Sequence, residues 1–151
     1  MFSRDVLQVD TEKTTREIAE VIRRIVRKQI RKRGAVVAMS GGVDSSVVAA
    51  LCAKALGPEN VLGLFMPERD SSPVSLQRGQ KLAAQLGIPT ALEDLAPVLE
   101  ALGCYRRRDA AIRSLFPEYN EAYRQKIILQ PDFLERDALN VFHLVIESPE
   151  G

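Results

Sequence analysis

One segment constrains the fold of this chain most. It is a short apolar run that is followed by small polar residues and then by a helical pattern. Residues 35–46 read AVVAMSGGVDSS, and the apolar residues 47–51 follow at once. Small residues let the backbone approach an anion, hydroxyls donate to it, and the amides of a helix N-terminus attract negative charge. The segment therefore predicts a strand, a phosphate-binding loop and a helix. The acid Asp44 within such an anion site indicates a metal ion.

Two familiar phosphate-binding motifs do not fit this segment. The Walker loop requires a Lys after its last glycine, and the dinucleotide fingerprint requires GxGxxG. The segment instead has the adjacent glycines Gly41 and Gly42 with no Lys after them. The remaining pattern is SGGxDS.

The pattern around this loop predicts alternating strands and helices. The predicted strands cover residues 35–39, 61–66 and 88–92. The intervening helices are expected to end at Gly57 and Gly87, and Ser72-Pro73 is typical of a helix start. Because parallel strands need such crossovers, the expected fold is α/β, a doubly wound parallel sheet with helices on both faces. Ligands of such sheets bind at the carboxyl ends of the strands, which here are Met39-Ser40 and Met66-Pro67.

The segment before the first strand is strongly basic. Residues 23–33 hold seven basic residues and no acid, a pattern that would suit a nucleic-acid surface. Apolar residues nevertheless recur at helical spacing, which favours an amphipathic helix with solvated charges, ending at Gly34. The apolar positions are Ile18, Val21, Ile22, Ile25, Val26 and Ile30. Nucleic acid is therefore not the expected partner.

The pattern is less regular after the third strand. We expect Asp94 to cap a helix near residues 98–102, a second helix over 104–116 and a turn over 117–123. Residues 139–146 predict an apolar strand broken by Asn140 and His143. The single histidine, His143, is expected to be a core residue with a satisfied partner rather than a catalyst.

Composition limits the class of protein. The 151 residues are 46% hydrophobic and carry a net charge of +1, which suits one folded domain without a global field for nucleic acid or membrane. The apolar runs are shorter than the ~20 residues that span a bilayer, and the N-terminus lacks the apolar centre of a secretory signal. We expect a cytoplasmic chain. Its two cysteines, Cys52 and Cys104, lack metal-ligand spacing and are expected to stay reduced, Cys52 by packing in a helix.

The SGGxDS loop resembles the pyrophosphate loop of the N-type ATP pyrophosphatases, which include NAD, GMP and asparagine synthetases and tRNA-thiolation enzymes. The stretch GLFMPERDSSP after the second strand, residues 86–123 and KIILQP look most like the synthetase domain of NAD synthetases. The resemblance implies an adenine nucleotide α-hydrolase-like fold in one domain over residues 1–151. Within it, helix 1–34 would precede a nucleotide core at 35–92 and a less regular part at 93–151.

The family chemistry implies the ligands. In that family the carboxylate of nicotinic acid adenine dinucleotide attacks the α-phosphorus of ATP, pyrophosphate leaves, and ammonia displaces AMP to form the amide. The resemblance thus implies ATP, Mg²⁺ and that dinucleotide, with free or glutamine-derived ammonia, and Asp44 as the metal ligand. The implied ATP-binding residues are Ala38, Met39, Ser40, Gly41, Gly42, Val43, Asp44, Ser45 and Ser46, followed by Met66, Arg69 and Ser71.

Structural roles are open for several of these residues. Asp44 would otherwise cap the helix that starts at Ser45, and residues 70–72 would form an ordinary N-terminal cap. The arginines at 106–108 would contact phosphate or AMP, or else form a solvated helix face together with Arg113.

The resemblance ends before the family pattern does. The family's synthetase domain continues past this length, and its later half carries a second metal-binding acid and dinucleotide-binding residues that residues 127–151 do not match. We therefore expect an incomplete C-terminus, with strand 139–146 lacking a following partner, and either a homodimer or a missing C-terminal half as partner. The alternatives are sulfur transfer or tRNA thiolation through Cys104, and a non-catalytic ATP-binding or interaction module.

Overall fold

The computed structural model describes residues 8–129 and 142–150. Two compact units divide the chain, one extending to Leu99 and one beginning at Glu100. The helices are α1 (Thr11–Arg24), α2 (Val43–Leu56), α3 (Pro73–Leu86), α4 (Ala96–Ala101) and α5 (Cys104–Arg113). The strands are β1 (Ala35–Ala38), β2 (Val61–Phe65), β3 (Thr90–Leu92), β4 (Arg124–Leu129) and β5 (Phe142–Glu147). A π-helical turn, Ile25–Gln29, extends α1, and a 3₁₀ turn, Pro58–Asn60, precedes β2.

The first unit is built on a parallel sheet in the order β1-β2-β3. The crossover helices α2 and α3 pack against β2 and against each other. Since right-handed crossovers between successive neighbouring strands return on the same side, both helices cover one face of the sheet. The predicted parallel sheet with helical crossovers is confirmed.

The third strand is shorter than predicted because its first residues complete the end of α3. Gly87 is left-handed (φ 67°), its amide donates to the Ala84 carbonyl, and the Ile88 amide donates to the Ala83 carbonyl at 3.1 Å. This is the Schellman arrangement that satisfies the last carbonyls of a helix. Pro89 has no amide to donate, so the ladder begins at Thr90.

The core of the first unit lies between the sheet and α2 and α3. Phe65 is 2% exposed, and a Cβ at Gly79 of α3 would come within 2.6 Å of its ring, so the backbone of α3 packs directly against the ring. Small residues on α2 allow this helix to approach the sheet closely as well. The buried residues are Ala19, Val26, Val37, Met39, Ala49, Cys52, Ala53, Ala55, Leu56, Val61, Phe65, Ala83 and Ile88.

The predicted amphipathic helix is present as α1, but it buries only part of its apolar surface. Ala19 and Val26 are buried and Ile22 is partly buried against α2, whereas four of the six predicted apolar positions remain exposed. A helix that packs on one neighbour buries one narrow stripe, which explains the difference. The exposed positions are Ile18, Val21, Ile25 and Ile30.

The prediction that Gly34 ends this helix is wrong. The helical backbone ends at Gln29, the Ile30 amide donates to the Ile25 carbonyl at 3.0 Å, and the left-handed residue is Arg31 (φ 51°). Gly34 instead lies where a side chain would overlap the Asn60 carbonyl oxygen. The glycine therefore permits close backbone packing just before β1.

Two arginines of the basic segment have a structural task. Arg23 Nε donates to the Ala55 carbonyl at 2.8 Å, and Arg27 Nη2 donates to the Leu56 carbonyl at 3.3 Å. Both carbonyls belong to the last turn of α2, where cations also complement the helix dipole. The charges at these two positions therefore tie α1 to α2.

Replacing Arg23 should destabilise the chain. We expect Arg23→Gln to lower the free energy of unfolding by about 1 kcal/mol, because a carbonyl of the last turn loses its donor. Urea denaturation followed by circular dichroism measures this, with Arg16→Gln, an exposed position on the same helix, as the control. Equal stabilities of the two variants would contradict the capping role.

The second unit contains α5 and an antiparallel pair of strands. Arg124 on β4 pairs with Glu147 on β5, and Tyr105, Ile112 and Tyr119 are buried. The last strand pairs along its described length with β4, which precedes it in the chain, and the expectation that it lacks a following partner stays a prediction. The sequence pattern did not predict β4. Residues 139–141 of the predicted strand lie outside the described residues.

His143 is not the core residue that its apolar neighbours predict. Its side chain is exposed on β5, opposite Ile128 in the ladder. Its neighbours Phe142 and Leu144 are exposed as well, because a two-stranded ribbon has too few neighbours to bury both of its faces, so an apolar run does not guarantee burial.

The arginines of α5 bind their own unit. Arg107 Nη1 donates to the Leu102 carbonyl at 2.7 Å, Arg108 pairs with Asp109 at 2.8 Å, and Arg113 Nε donates to the Tyr119 carbonyl at 3.0 Å. These bonds favour the structural alternative for this basic run. Among the described residues, no helix is both long and apolar enough to cross a membrane.

The two cysteines should differ in reactivity. Burial raises the pKa of the Cys52 thiol, whereas Cys104 is half-exposed at the start of α5. Since the thiolate is the reactive form, we expect iodoacetamide at pH 8 to label Cys104 much faster than Cys52 in the folded chain. Mass spectrometry of a time course measures both rates, and equal rates would contradict the burial of Cys52.

Candidate functional site

The glycine and serine loop lies between β1 and α2, as predicted. Met39 is 5% exposed and its amide donates to the Leu64 carbonyl at 2.9 Å, so the pairing of β1 with β2 continues one residue beyond the strand. The chain then leaves the sheet at Ser40, and Gly42 is the N-cap of α2. The loop is therefore held at the carboxyl end of the parallel sheet, the usual position for ligands.

Gly41 fixes the path of this loop. Its φ of 78° lies in the left-handed region, and a Cβ there would overlap the carbonyl oxygen of Ser75 on α3. The loop backbone thus packs against the first turn of α3 at a distance that only glycine permits.

Hydroxyl groups bind the loop to itself. Ser40 Oγ lies 3.1 Å from Ser45 Oγ and accepts from the Gly42 amide at 3.3 Å. Ser45 Oγ also accepts from the Ser40 amide at 3.3 Å, and Ser46 Oγ donates to the Gly42 carbonyl at 2.7 Å. These bonds hold the loop in shape while the amides of Val43, Asp44 and Ser45 have no carbonyl partner within α2. The arrangement can accept an anion at the N-terminus of the helix.

Asp44 lies in the first turn of α2, after the Gly42 cap. The alternative that Asp44 caps the helix from Ser45 is therefore wrong, because the capping position is two residues earlier. Its side chain is exposed, and its carboxylate has no hydrogen bond within the described parts of the chain. A single free carboxylate suits Mg²⁺, which takes one or two protein carboxylates together with phosphate oxygens and water. Residues 8–129 and 142–150 contain no cluster of three or more possible metal ligands.

A cavity of about 240 Å³ opens beside the loop, at the ends of β1 and β2. It brings together the predicted residues Met39, Ser40, Met66 and Ser71, and it adds residues that the sequence pattern did not single out for the site. The lining residues are Met39, Ser40, Phe65, Met66, Pro67, Ser71, Ser72, Ser75 and Leu76. The site therefore has apolar walls with several hydroxyl groups.

The segment after β2 forms a local turn. The Glu68 amide donates to Ser71 Oγ at 3.0 Å, and the Ser71 amide donates back to the Glu68 carbonyl at 3.0 Å. Arg69 pairs with Asp70 at 3.4 Å and does not line the cavity. Ser72 is the N-cap residue of α3 by position, but its side chain makes no capping bond. The structure thus groups Ser71 with the loop and leaves Arg69 outside it.

Ser75 is the principal residue that the sequence analysis missed. It lies on the first turn of α3, and both its carbonyl contact with Gly41 and its place in the cavity depend on how α3 approaches β1. The sequence signal that could have indicated Ser75 is its position in the first turn of the helix that starts at Ser72-Pro73, at the carboxyl edge of the sheet.

Comparison with known proteins identifies the family. The family model for NAD synthase matches residues 14–143. The chain belongs to the NAD synthase family. It is 47% identical over 146 residues to the NH(3)-dependent NAD(+) synthetase of Mesorhizobium japonicum, covering 97% of this chain and 46% of that protein. It is 44% identical over 151 residues to the synthetase of the same name from Rhizobium meliloti, covering 45% of that protein.

A solved structure supports membership in the NAD synthase family. The NH3-dependent NAD synthetase of Campylobacter jejuni matches with a TM-score of 0.59 at 28% identity, covering 73% of this chain and 50% of that one. The NMN synthetase of Francisella tularensis shares the fold with a TM-score of 0.60 at 21% identity. The predicted family and the predicted α/β fold class with a parallel sheet are confirmed. The chain spans just under half the length of the curated relatives described above.

Proposed function

We propose that this chain supplies the ATP-phosphate site of an ATP-dependent, amide-forming ligase of the NAD synthetase type. The observation that carries the proposal is the loop from Ser40 to Ser46, a built anion site at a helix N-terminus in a chain of this family. Its substrates would be ATP and nicotinic acid adenine dinucleotide. Ammonia is the proposed nitrogen donor because the relatives at 44% to 47% identity are named NH(3)-dependent.

The loop residues would stabilise the negative charge on the phosphates of ATP. Activating a carboxylate by adenylation requires that negative charge on the departing pyrophosphate be stabilised. The amides of Val43, Asp44 and Ser45 and the hydroxyls of Ser40 and Ser46 would bind the phosphate oxygens. The neighbouring predicted residues Ala38, Met39 and Gly42 would shape the strand end and the close backbone approach.

The cavity beside the loop would hold the nucleoside part of ATP. Its apolar walls at Met39, Phe65 and Met66 suit a purine ring, and the hydroxyl groups of Ser71 and Ser75 suit ribose. Arg69 would take part only after leaving Asp70, and its exposed ion pair is weak enough to allow this.

Asp44 would hold Mg²⁺, the proposed metal. When bound, the ion would neutralise phosphate charge, and the protein would contribute one carboxylate in the helix dipole. Neither described cysteine lines the cavity, so sulfur transfer has no support from the site. Both cysteines are free, which accords with the reducing cytoplasm that we propose as the location.

A chimaera tests the whole reaction. Residues 1–151 would replace the matching part of the Mesorhizobium japonicum relative, and NAD, AMP and pyrophosphate would be measured with ATP, the dinucleotide substrate and ammonium. We expect all three products in equal amounts, and their loss in the same chimaera with Asp44→Asn. A folded chimaera that binds ATP but forms no NAD would overturn the proposed ligase role.

A further inference from the structure

The cations near the end of α1 divide into two groups. Arg23 and Arg27 donate to the last carbonyls of α2, as described above. The other cations of this stretch are exposed, and their side chains make no hydrogen bond or ion pair within the described residues. These are Arg24, Lys28, Arg31, Lys32 and Arg33, which we call the basic patch. Residues 21–43 contain no acid, so no neighbour along the chain neutralises the patch.

The π-helical turn brings an apolar side chain into the basic patch. The Ile30 amide donates to the Ile25 carbonyl, a bond between residues five apart, so Ile30 lies about one turn beyond Ile25. In a regular α-helix the same two residues would be separated by about 140° around the axis. Val21, Ile25 and Ile30 are 42%, 39% and 55% exposed. The π turn therefore continues the exposed apolar row of α1 into the patch.

The backbone after the π turn is held in one shape. The Lys32 amide donates to the Val26 carbonyl at 2.8 Å, and Arg31 has a left-handed φ of 51°. This conformation is unfavourable for a residue with a side chain, and such positions concentrate at functional sites. The bond to Val26 shows that the patch is part of an ordered surface and not a loose basic tail.

We propose that the basic patch binds the surface of a bilayer that contains anionic phospholipid. The exposed apolar row enters the boundary between headgroups and acyl chains, and the cations of the patch contact lipid phosphates. Four to eight basic residues on an amphipathic helix are typical of a surface that binds anionic lipid. The acids of α1, Glu12, Glu17 and Glu20, all precede the patch, so the end of the helix makes the contact.

The chemistry of the patch favours a lipid surface over other anionic partners. A nucleic acid would meet the cations but leave the isoleucines in water, and residues 21–33 contain no aromatic ring on which a base could stack. A second copy of the patch would bring like charges together. A bilayer surface offers negative phosphates and an apolar layer to the same convex helix.

Vesicle flotation of the full chain tests the charged part of the proposal. At about 100 mM salt, we expect binding to vesicles of phosphatidylglycerol and phosphatidylcholine, but not to phosphatidylcholine alone. Lys28→Gln combined with Lys32→Gln should weaken this binding about thirtyfold. Lys13→Gln combined with Arg16→Gln removes the same charge from exposed positions near the start of α1, and should weaken it less than about threefold.

Two variants of Ile30 test the apolar part. The chain contains no tryptophan, so Ile30→Trp introduces a single fluorescent reporter, whose emission should shift to the blue with anionic vesicles. Leu115→Trp, at a 77% exposed position in the second unit, should show no shift. Ile30→Ser should weaken vesicle binding about tenfold and leave heparin binding unchanged, because only lipid offers an apolar layer.

Several results would overturn the lipid-binding role. They are a folded wild type that does not float with anionic vesicles, equal losses in the two double variants, and Ile30→Trp emission that vesicles do not change. Tighter binding to an RNA homopolymer than to the vesicles at the same salt would also overturn it, and would assign the patch to nucleic acid. Circular dichroism checks that every variant keeps the helix content of the wild type.

Discussion

Gly41→Ala is expected to abolish measurable ATP binding and to lower the stability of the first unit. The new Cβ would overlap the Ser75 carbonyl oxygen, and the residue would keep a left-handed φ of 78°. The left-handed conformation alone costs an alanine about 1–2 kcal/mol. The overlap with backbone must then be relieved by moving the loop away from α3, which displaces the amides proposed to bind phosphate.

Gly87→Ala is the matched control for this change. Gly87 has a similar φ of 67°, but a Cβ there meets nothing within 4 Å. Gly87→Ala should therefore show the cost of the left-handed backbone without any displacement of the loop. It should lose about 1–2 kcal/mol of stability and keep its ATP affinity. Urea denaturation and ATP titration of both variants separate the two effects. Equal ATP affinities would contradict the role of Gly41 in shaping the site.

Asp44→Asn is expected to change ATP affinity in opposite directions with and without metal. With Mg²⁺, the affinity should fall by at least about tenfold, or about 1.4 kcal/mol, because the metal loses its protein carboxylate. With EDTA, the affinity should stay equal or rise, because one negative charge near the phosphates has been removed. Titration with ATP in Mg²⁺ and in EDTA measures whether the two changes in affinity have opposite signs.

Glu93→Gln is the control for the lost charge. Glu93 is an exposed acid just after β3, at the same edge of the sheet. Glu93→Gln should leave the magnesium dependence of ATP binding unchanged. If Asp44→Asn weakened binding equally in Mg²⁺ and in EDTA, Asp44 would act as a structural residue rather than a metal ligand.

The local chemistry of the nucleotide loop could be predicted because it depends on adjacent residues. SGGxDS predicts a strand end, an anion-binding loop and a helix start, and the structure has β1 end at Ala38 and α2 begin at Val43, with a left-handed Gly41 that was not predicted. Ser75 could not be predicted as a neighbour of Gly41, because that contact depends on the packing of α3 against the loop. Hydrophobic periodicity predicts the helices and strands, whereas the residues that form the site depend on the distances between those elements.

The same distinction explains the wrong predictions. Helical spacing in α1 predicts an apolar face, but the number of neighbours decides how much is buried, and Ile18 and Ile25 remain exposed. His143 lies in an apolar run, but the two-stranded ribbon leaves His143 and its neighbours Phe142 and Leu144 exposed. In both cases the local pattern was correct and the tertiary partner was unknown.

Calorimetric titration of the full chain with ATP, in Mg²⁺ and then in EDTA, tests the central claim most directly. The phosphate site predicts one ATP per chain, binding that is strengthened by Mg²⁺, and displacement of ATP by inorganic pyrophosphate. Absence of ATP binding by the folded chain, or ATP binding that pyrophosphate does not displace, would contradict it.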